Sequence, residues 1–89
     1  MTGGSGRPIH WTPAAEKDLR RLDPPTRERV RQALARLVTT GQGDVRRLQG
    51  LEDEYRLRVG DWRVRFRFDE ASGALDVLRV LPRGRAYRD

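Results

Sequence analysis

Residues 54–68 alternate between apolar and charged side chains, and this period of two constrains the fold more than any other feature. The apolar positions are Tyr55, Leu57, Val59, Trp62, Val64, Phe66 and Phe68. Alternation of this kind is typical of strands with one buried face. Gly60-Asp61 interrupts it where a two-residue turn would join two strands, and glycine tolerates the positive φ of a type II′ turn. The segment is therefore predicted to be a β-hairpin.

The turn also fixes the pairing, because the choice of its two loop residues sets every cross-strand partner. The predicted pairs are Val59–Trp62, Arg58–Arg63, Leu57–Val64, Arg56–Arg65, Tyr55–Phe66 and Glu54–Arg67. The apolar pairs should face the core, and the two Arg–Arg pairs should share the opposite, exposed face. Like charges directly across a sheet are destabilising, and the hairpin offers one matching anion, Glu54 opposite Arg67.

Two adjacent Arg–Arg pairs are a local conflict of the kind expected at functional sites. A guanidinium group stays charged and matches phosphate oxygens with two parallel hydrogen bonds. This face is therefore predicted to bind phosphate. The alternative is a set of ordinary surface arginines that extend into solvent, partly neutralised by Asp76.

Helices and two further strands are predicted outside the hairpin. Thr12-Pro13 and Asp23-Pro24 are typical helix starts, and apolar spacing predicts helices over 13–22 and 24–40. Residues 9–11 and 74–81 read as strands, residues 41–53 as a connection, and the Gly-rich residues 1–8 as a disordered leader. The expected fold is one α+β domain over 9–89, in the order β-α-α-β-β-β, with a helical hairpin on one face of an antiparallel sheet.

Composition excludes several kinds of site. The 89 residues include no Cys and a single His, which excludes disulfides, Cys-ligated zinc, thiol nucleophiles and paired imidazoles. We predict no metal and no cofactor. No apolar run reaches the roughly 20 residues of a membrane span, so we predict a cytoplasmic protein without a membrane partner. The net charge of +6 favours nucleic acid or an acidic protein as partner.

The C-terminal residues Arg83, Arg85 and Tyr87 follow the last predicted strand. A chain leaving the sheet there would bring Arg83 and Tyr87 beside the arginine pairs. Arg can stabilise phosphate charge, and Tyr can stack on a base or transfer a proton. The alternative is that the tyrosine packs on the sheet edge and the arginines are solvated.

Three segments together resemble the RelE/ParE superfamily of type II toxins, over the chain from Ile9 to the C-terminus. They are Arg47–Gly50, Tyr55–Val64 and Val80–Tyr87. The resemblance implies a RelE/ParE-like fold and a co-encoded acidic antitoxin as partner. For the RelE branch it also implies cleavage of mRNA in the ribosomal A site, without a metal, by attack of the ribose 2′-OH on the adjacent phosphodiester.

Carried over by motif, the resemblance implies catalytic roles for Arg58, Arg63, Arg83 and Tyr87 and RNA binding by Arg56. The arginine pairs of the hairpin and the C-terminal residues add Arg65 and Arg85 as predicted RNA-binding residues. Well-known members carry Lys where this chain has Arg56 and Arg58. A guanidinium cannot accept a proton as readily as a neutral lysine could. This departure shifts the role of general base towards Tyr87.

Two other functions are compatible with the same resemblance. One is a ParE-like toxin that poisons DNA gyrase without cleaving RNA, although Arg63, Arg83 and Tyr87 together favour the nuclease. The other is a binding module whose basic face serves only to dock an acidic antitoxin.

Overall fold

A computed structural model describes residues 6–48, 50 and 53–84 of the chain. In this part, two helices pack on a five-stranded sheet, which confirms the α+β class. The elements are β1 (Ile9–Trp11), α1 (Pro13–Arg20), α2 (Pro24–Thr40), β2 (Asp44–Arg47), β3 (Glu54–Val59), β4 (Trp62–Phe68) and β5 (Leu75–Pro82). Neither helix is both long and apolar enough to cross a membrane.

Both helices begin at the predicted caps. The Thr12 side chain accepts a hydrogen bond from the Ala15 backbone N–H, and Asp23 accepts one from Thr26, so each satisfies a donor that the first turn leaves open. α2 ends at Gly41, whose φ of 76° is in the left-handed region that glycine adopts without strain. α1 ends two residues earlier than predicted.

The hairpin pairing is confirmed at all six predicted positions, from Glu54–Arg67 to Val59–Trp62. Gly60 has the positive φ that the turn requires, at 58°. The apolar partners lie in or against one buried cluster with both helices. Its most deeply buried large side chains include Leu34 of α2, Leu57 of β3 and Phe66 of β4, each contributing about 1.5–3 kcal/mol by burial.

Two details of the predicted sheet are wrong. The connection predicted over 41–53 contains a strand, β2, which pairs antiparallel with β3 at one edge of the sheet. At the other edge β1 pairs with β5 in parallel, so the sheet is not fully antiparallel. Four residues are too few to show a period, and no turn joins β1 to β5 that would dictate their relative direction.

Residues 6–8, which the sequence analysis assigned to the leader, contact the folded domain. The Pro8 carbonyl accepts a hydrogen bond from the Leu75 N–H. The Arg7 guanidinium lies 4.6 Å from the centre of the Phe68 ring and donates to the Gly73 carbonyl. Residues 1–5 lie outside the described part.

Candidate functional site

The face of the sheet opposite the core carries two rows of side chains that cross four strands. Strand pairing aligns Arg46, Arg56, Arg65 and Arg79 in one row, from β2 to β5. The second row is formed by Asp44, Arg58, Arg63 and Leu81. We call this surface the arginine face. It arises because the period of two in β3 and β4 continues into β2, where Val45 is paired with Leu57 of the core.

Much of the arginine face is buried, contrary to the prediction of an exposed face. Arg56, Arg63 and Arg65 are 6–7% exposed, whereas Arg58 is exposed. The added strand β2 gives β3 a neighbour on both sides, so Arg56 lies between other strands instead of near an edge. Long side chains crowded side by side shield one another from water.

The buried Arg65 has a carboxylate partner. Its Nη2 lies 2.7 Å from Oε1 of Glu54, which the sequence analysis had matched with Arg67. Although Glu54 is paired with Arg67 across the hairpin, the diagonal neighbour is within reach of a long side chain. A buried charge without a partner is costly, and this ion pair gives the buried Arg65 guanidinium a partner. The guanidinium group of Arg65 is thus held by a carboxylate of the same chain.

Arg63 contacts the turn of its own hairpin. Its Nη1 donates to the carbonyls of Gly60 and Trp62, both at 2.9 Å. Its Nε is buried and has no hydrogen-bond partner among the described residues. A buried donor without a partner is costly. The two Nη1 hydrogen bonds nevertheless fix the Arg63 guanidinium group at the turn.

A cleft of about 250 Å³ opens on the arginine face. It is lined by Asp44, Arg46, Arg56, Arg58, Arg63 and Arg83. Arg83 is placed there by the end of β5, where its backbone N–H donates to the Asp61 carbonyl in the hairpin turn. Five guanidinium groups against one carboxylate give this lining a formal charge of +4. Such a concentration of cations can hold a phosphate backbone.

The one carboxylate of this lining, Asp44, lies beside Arg58. Oδ2 of Asp44 is 3.6 Å from Nη1 of Arg58, and both side chains are more than half exposed. An ion pair that is open to water is weak, so it leaves Arg58 available to a phosphate.

The structure brings together some of the predicted residues and not others. Arg56, Arg58, Arg63 and Arg83 line one cleft, whereas Arg65 does not. Arg85 and Tyr87 lie outside the described residues. Asp44 and Arg46 were not among the predicted site residues because β2 was not predicted. The alternation Asp44-Val45-Arg46 is the signal that could have revealed them.

A second cavity, of about 470 Å³, has four acidic side chains in its lining. It is lined by Asp53, Arg67, Phe68, Asp69, Glu70 and Asp76. Hydrogen bonds from the Ser72 hydroxyl and the Ala71 N–H hold the pKa of Asp69 below its ordinary value. Asp76 lies 3.3 Å from His10 and is paired with Arg67 across β4 and β5, but it is not among the residues that line the first cleft. No group of three potential metal ligands converges among the described residues.

The fold matches solved structures of RelE toxins. One is the archaeal RelE–RelB complex from Pyrococcus horikoshii, with a TM-score of 0.73 and 26% identity over 90% of this chain and 98% of that chain. The isolated Escherichia coli RelE toxin has a TM-score of 0.72 and 17% identity, over 85% of this chain and 83% of that chain. The RelBE2 complex from Mycobacterium tuberculosis gives 0.61 and 24% identity over 88% and 99%.

A family model also matches the chain, over residues 9–87. It describes the ParE toxin of the type II toxin–antitoxin system parDE. The chain therefore belongs to this family and is a type II toxin of the RelE/ParE superfamily. No curated protein sequence matches it.

Proposed function

We propose that this toxin is an endoribonuclease that cleaves mRNA in the ribosomal A site without a metal. The observation that carries the proposal is the cleft in which five arginine side chains meet. In the proposed reaction the ribose 2′-OH attacks the adjacent phosphodiester, giving a 2′,3′-cyclic phosphate and a free 5′-OH. Charge grows on the phosphoryl oxygens in the transition state, and fixed cations lower that barrier.

Each cleft residue has a role that follows from its exposure. Arg58 and Arg83 are exposed and can follow a phosphate, so they stabilise the phosphoryl oxygens. Arg63 is held by the carbonyls of Gly60 and Trp62 and adds a fixed positive charge. Arg56 and Arg46 hold the neighbouring backbone, and Arg85 and Tyr87 extend the contact to RNA from the C-terminal residues.

A co-encoded acidic antitoxin is the proposed protein partner, and the cytoplasm, where ribosomes translate mRNA, is the proposed site of action. Five of the similar solved structures are toxins of this kind in complex with an antitoxin or an antitoxin peptide. The net charge of +6 supports an acidic partner.

Mapping mRNA 5′ ends in bacterial cells that express the chain tests the proposal. The wild type should produce cuts that are phased with codons inside translated frames. Arg58→Ala and Arg83→Ala should each lower the cleavage rate about 100-fold, the usual effect of removing one donor to a developing oxyanion. Arg31→Ala, an exposed arginine of α2 outside the cleft, should cleave like the wild type. Unphased or absent cuts would contradict the proposal.

The second candidate is a gyrase poison, because the matching family model describes ParE toxins. It predicts intact mRNA together with DNA breaks to which gyrase is covalently linked. Growth arrest with neither lesion would leave a third target, and no arrest at all would leave only the docking role.

A further inference from the structure

We infer that Asp44 is the general base of the reaction, taking the proton from the attacking 2′-OH. This inference rests on the proposed ribonuclease activity. It assigns a catalytic role to a residue in a segment that was predicted to be a mere connection.

The arginine substitutions create the need for a base. A guanidinium group has five N–H donors and no acceptor, so Arg56 and Arg58 can bind a phosphate but cannot take a proton. Among the described residues that line the cleft, Asp44 is the one side chain that can. An ionised carboxylate is an acceptor with two oxygens.

The geometry places this carboxylate beside the phosphate subsite. Asp44 is paired directly with Arg58 across β2 and β3, and the charged groups are 3.6 Å apart. A nucleophilic 2′-oxygen lies about 3 Å from the phosphorus that it attacks in a near-attack geometry. A phosphate held by Arg58 therefore brings the adjacent 2′-OH within hydrogen-bond reach of Asp44, which is the first requirement for a general base.

The exposure of Asp44 also suits the role. Its side chain is 54% exposed, so a nucleotide can approach it, and closure of RNA over the cleft would exclude the water that now weakens its pairing with Arg58. Both β2 and its hydrogen-bonded neighbour β3 are regular at this point. The carboxylate therefore projects from a strand and not from an irregular loop.

The proposed step moves one proton and exchanges one bond at phosphorus. The 2′-O–H bond breaks and its proton moves to the carboxylate of Asp44, while the 2′-oxygen forms a bond to phosphorus. The bond from phosphorus to the 5′-oxygen breaks, and the departing 5′-oxygen takes a proton from solvent water. Asp44 then releases its proton to solvent. No electron donor or acceptor is required.

Asp44→Asn tests the assignment, because it removes the basic oxygen with almost no change of shape. Single-turnover cleavage is measured on ribosomes that carry an intact mRNA, chosen because the wild-type toxin cleaves it. The toxin concentration and the pH are varied. We expect the maximal rate to fall at least about 100-fold, with half-saturation at the same or a lower toxin concentration because a negative charge has been removed. The fall in rate on acidification, which a carboxylate base imposes, should disappear, and Asp44→Glu should retain more activity than Asp44→Asn.

Asp53→Asn is the matched control. Asp53 also forms an exposed pair with an arginine, 3.9 Å from Arg47, but does not line the cleft. Its φ of 56° is one that Asn tolerates. This variant should cleave at the wild-type rate.

Several results would overturn the inference while leaving the ribonuclease intact. One is that Asp44→Asn cleaves at the wild-type rate. Another is that only the toxin concentration at half-saturation changes and the maximal rate does not. A third is that Asp44→Asn is slow but its rate still falls on acidification. Loss of activity in Tyr87→Phe but not in Asp44→Asn would assign the proton to the tyrosine instead. Failure of the wild type itself to cleave would instead reject the proposed function, and this inference with it.

Discussion

Burial determines what each arginine of the arginine face can do. Arg63 and Arg65 are 6% exposed and donate to backbone carbonyls and to Glu54, so they shape the surface. Arg58 and Arg83 are exposed and can adjust to a bound phosphate. The like-charge conflict read from the sequence is therefore relieved in part within the chain. The remainder is left for a ligand.

The buried carboxylate of Asp18, in α1, binds β5 on the helix side of the sheet. It accepts hydrogen bonds from Arg79 Nε at 2.8 Å and from the Val80 N–H at 2.9 Å. These hydrogen bonds join α1 to the part of β5 that follows Val77. There the edge of β5 is no longer paired with β1 among the described residues. Asp18 also binds the guanidinium group at the end of the first arginine row.

We predict that Asp18→Ala lowers the free energy of unfolding by about 2–3 kcal/mol, because it leaves the buried Val80 N–H without its acceptor. Urea denaturation measures this difference. Glu16→Ala, on the exposed side of the same helix, should change the stability by much less. Equal losses in the two variants would show that the loss of a negative charge from α1, and not the loss of the buried hydrogen bonds, is responsible.

At the scale of elements, local signals predicted the hairpin and both helix starts. The Gly60-Asp61 turn and the period of two lie within one short segment, so the register could be read directly. β2 holds a single apolar side chain packed on the core, Val45, and is recognisable only once β3 is available to pair with it.

The candidate site was predictable to the same extent. The cleft residues of β3 and β4 came from the register, and Arg83 came from the end of the last strand. Asp44 and Arg46 depended on the missed β2. Direct cross-strand pairing predicted Arg67 as the partner of Glu54. The structure instead has a diagonal contact to Arg65, which the length of the side chains allows and the register alone does not reveal. The positions of Arg85 and Tyr87 stay predictions.

The cap of α2 should make stability depend on pH. Hydrogen bonds from Thr26, chiefly from its hydroxyl at 2.7 Å, hold the pKa of Asp23 below the ordinary value of 3.8. Because the folded-state pKa is the lower one, the stabilisation is present above pH 3.8 and is lost as the pH falls through the folded-state value.

We therefore expect Asp23→Asn, which keeps a capping oxygen but does not titrate, to melt below the wild type near neutral pH. The difference in Tm should shrink as the pH falls below 3.8. Thermal denaturation followed by circular dichroism measures both values. A difference that is constant across this range would mean that the charge of Asp23 plays no part.

For the whole molecule, the position of the charge matters more than its total. The net charge is +6, yet five arginines line a single cleft. Arginines elsewhere, such as Arg20 on α1 and Arg31 on α2, are exposed and do not line it. If RNA were attracted by the net charge, all of these arginines would contribute to binding. If the cleft is a phosphate site, the arginines that line it would contribute most.

Salt dependence separates these two cases. For single-stranded RNA, the logarithm of the binding constant falls with the logarithm of salt concentration by about 0.7 for each phosphate neutralised. Binding is measured with an RNA whose 2′-OH groups are methylated, so that it cannot be cleaved. Arg46→Ala and Arg83→Ala should each reduce the slope by about 0.7, because each removes one phosphate contact. Arg20→Ala should leave it unchanged. Equal reductions in all three variants would mean that RNA is attracted by the net charge of the molecule and that the cleft has no special role in binding.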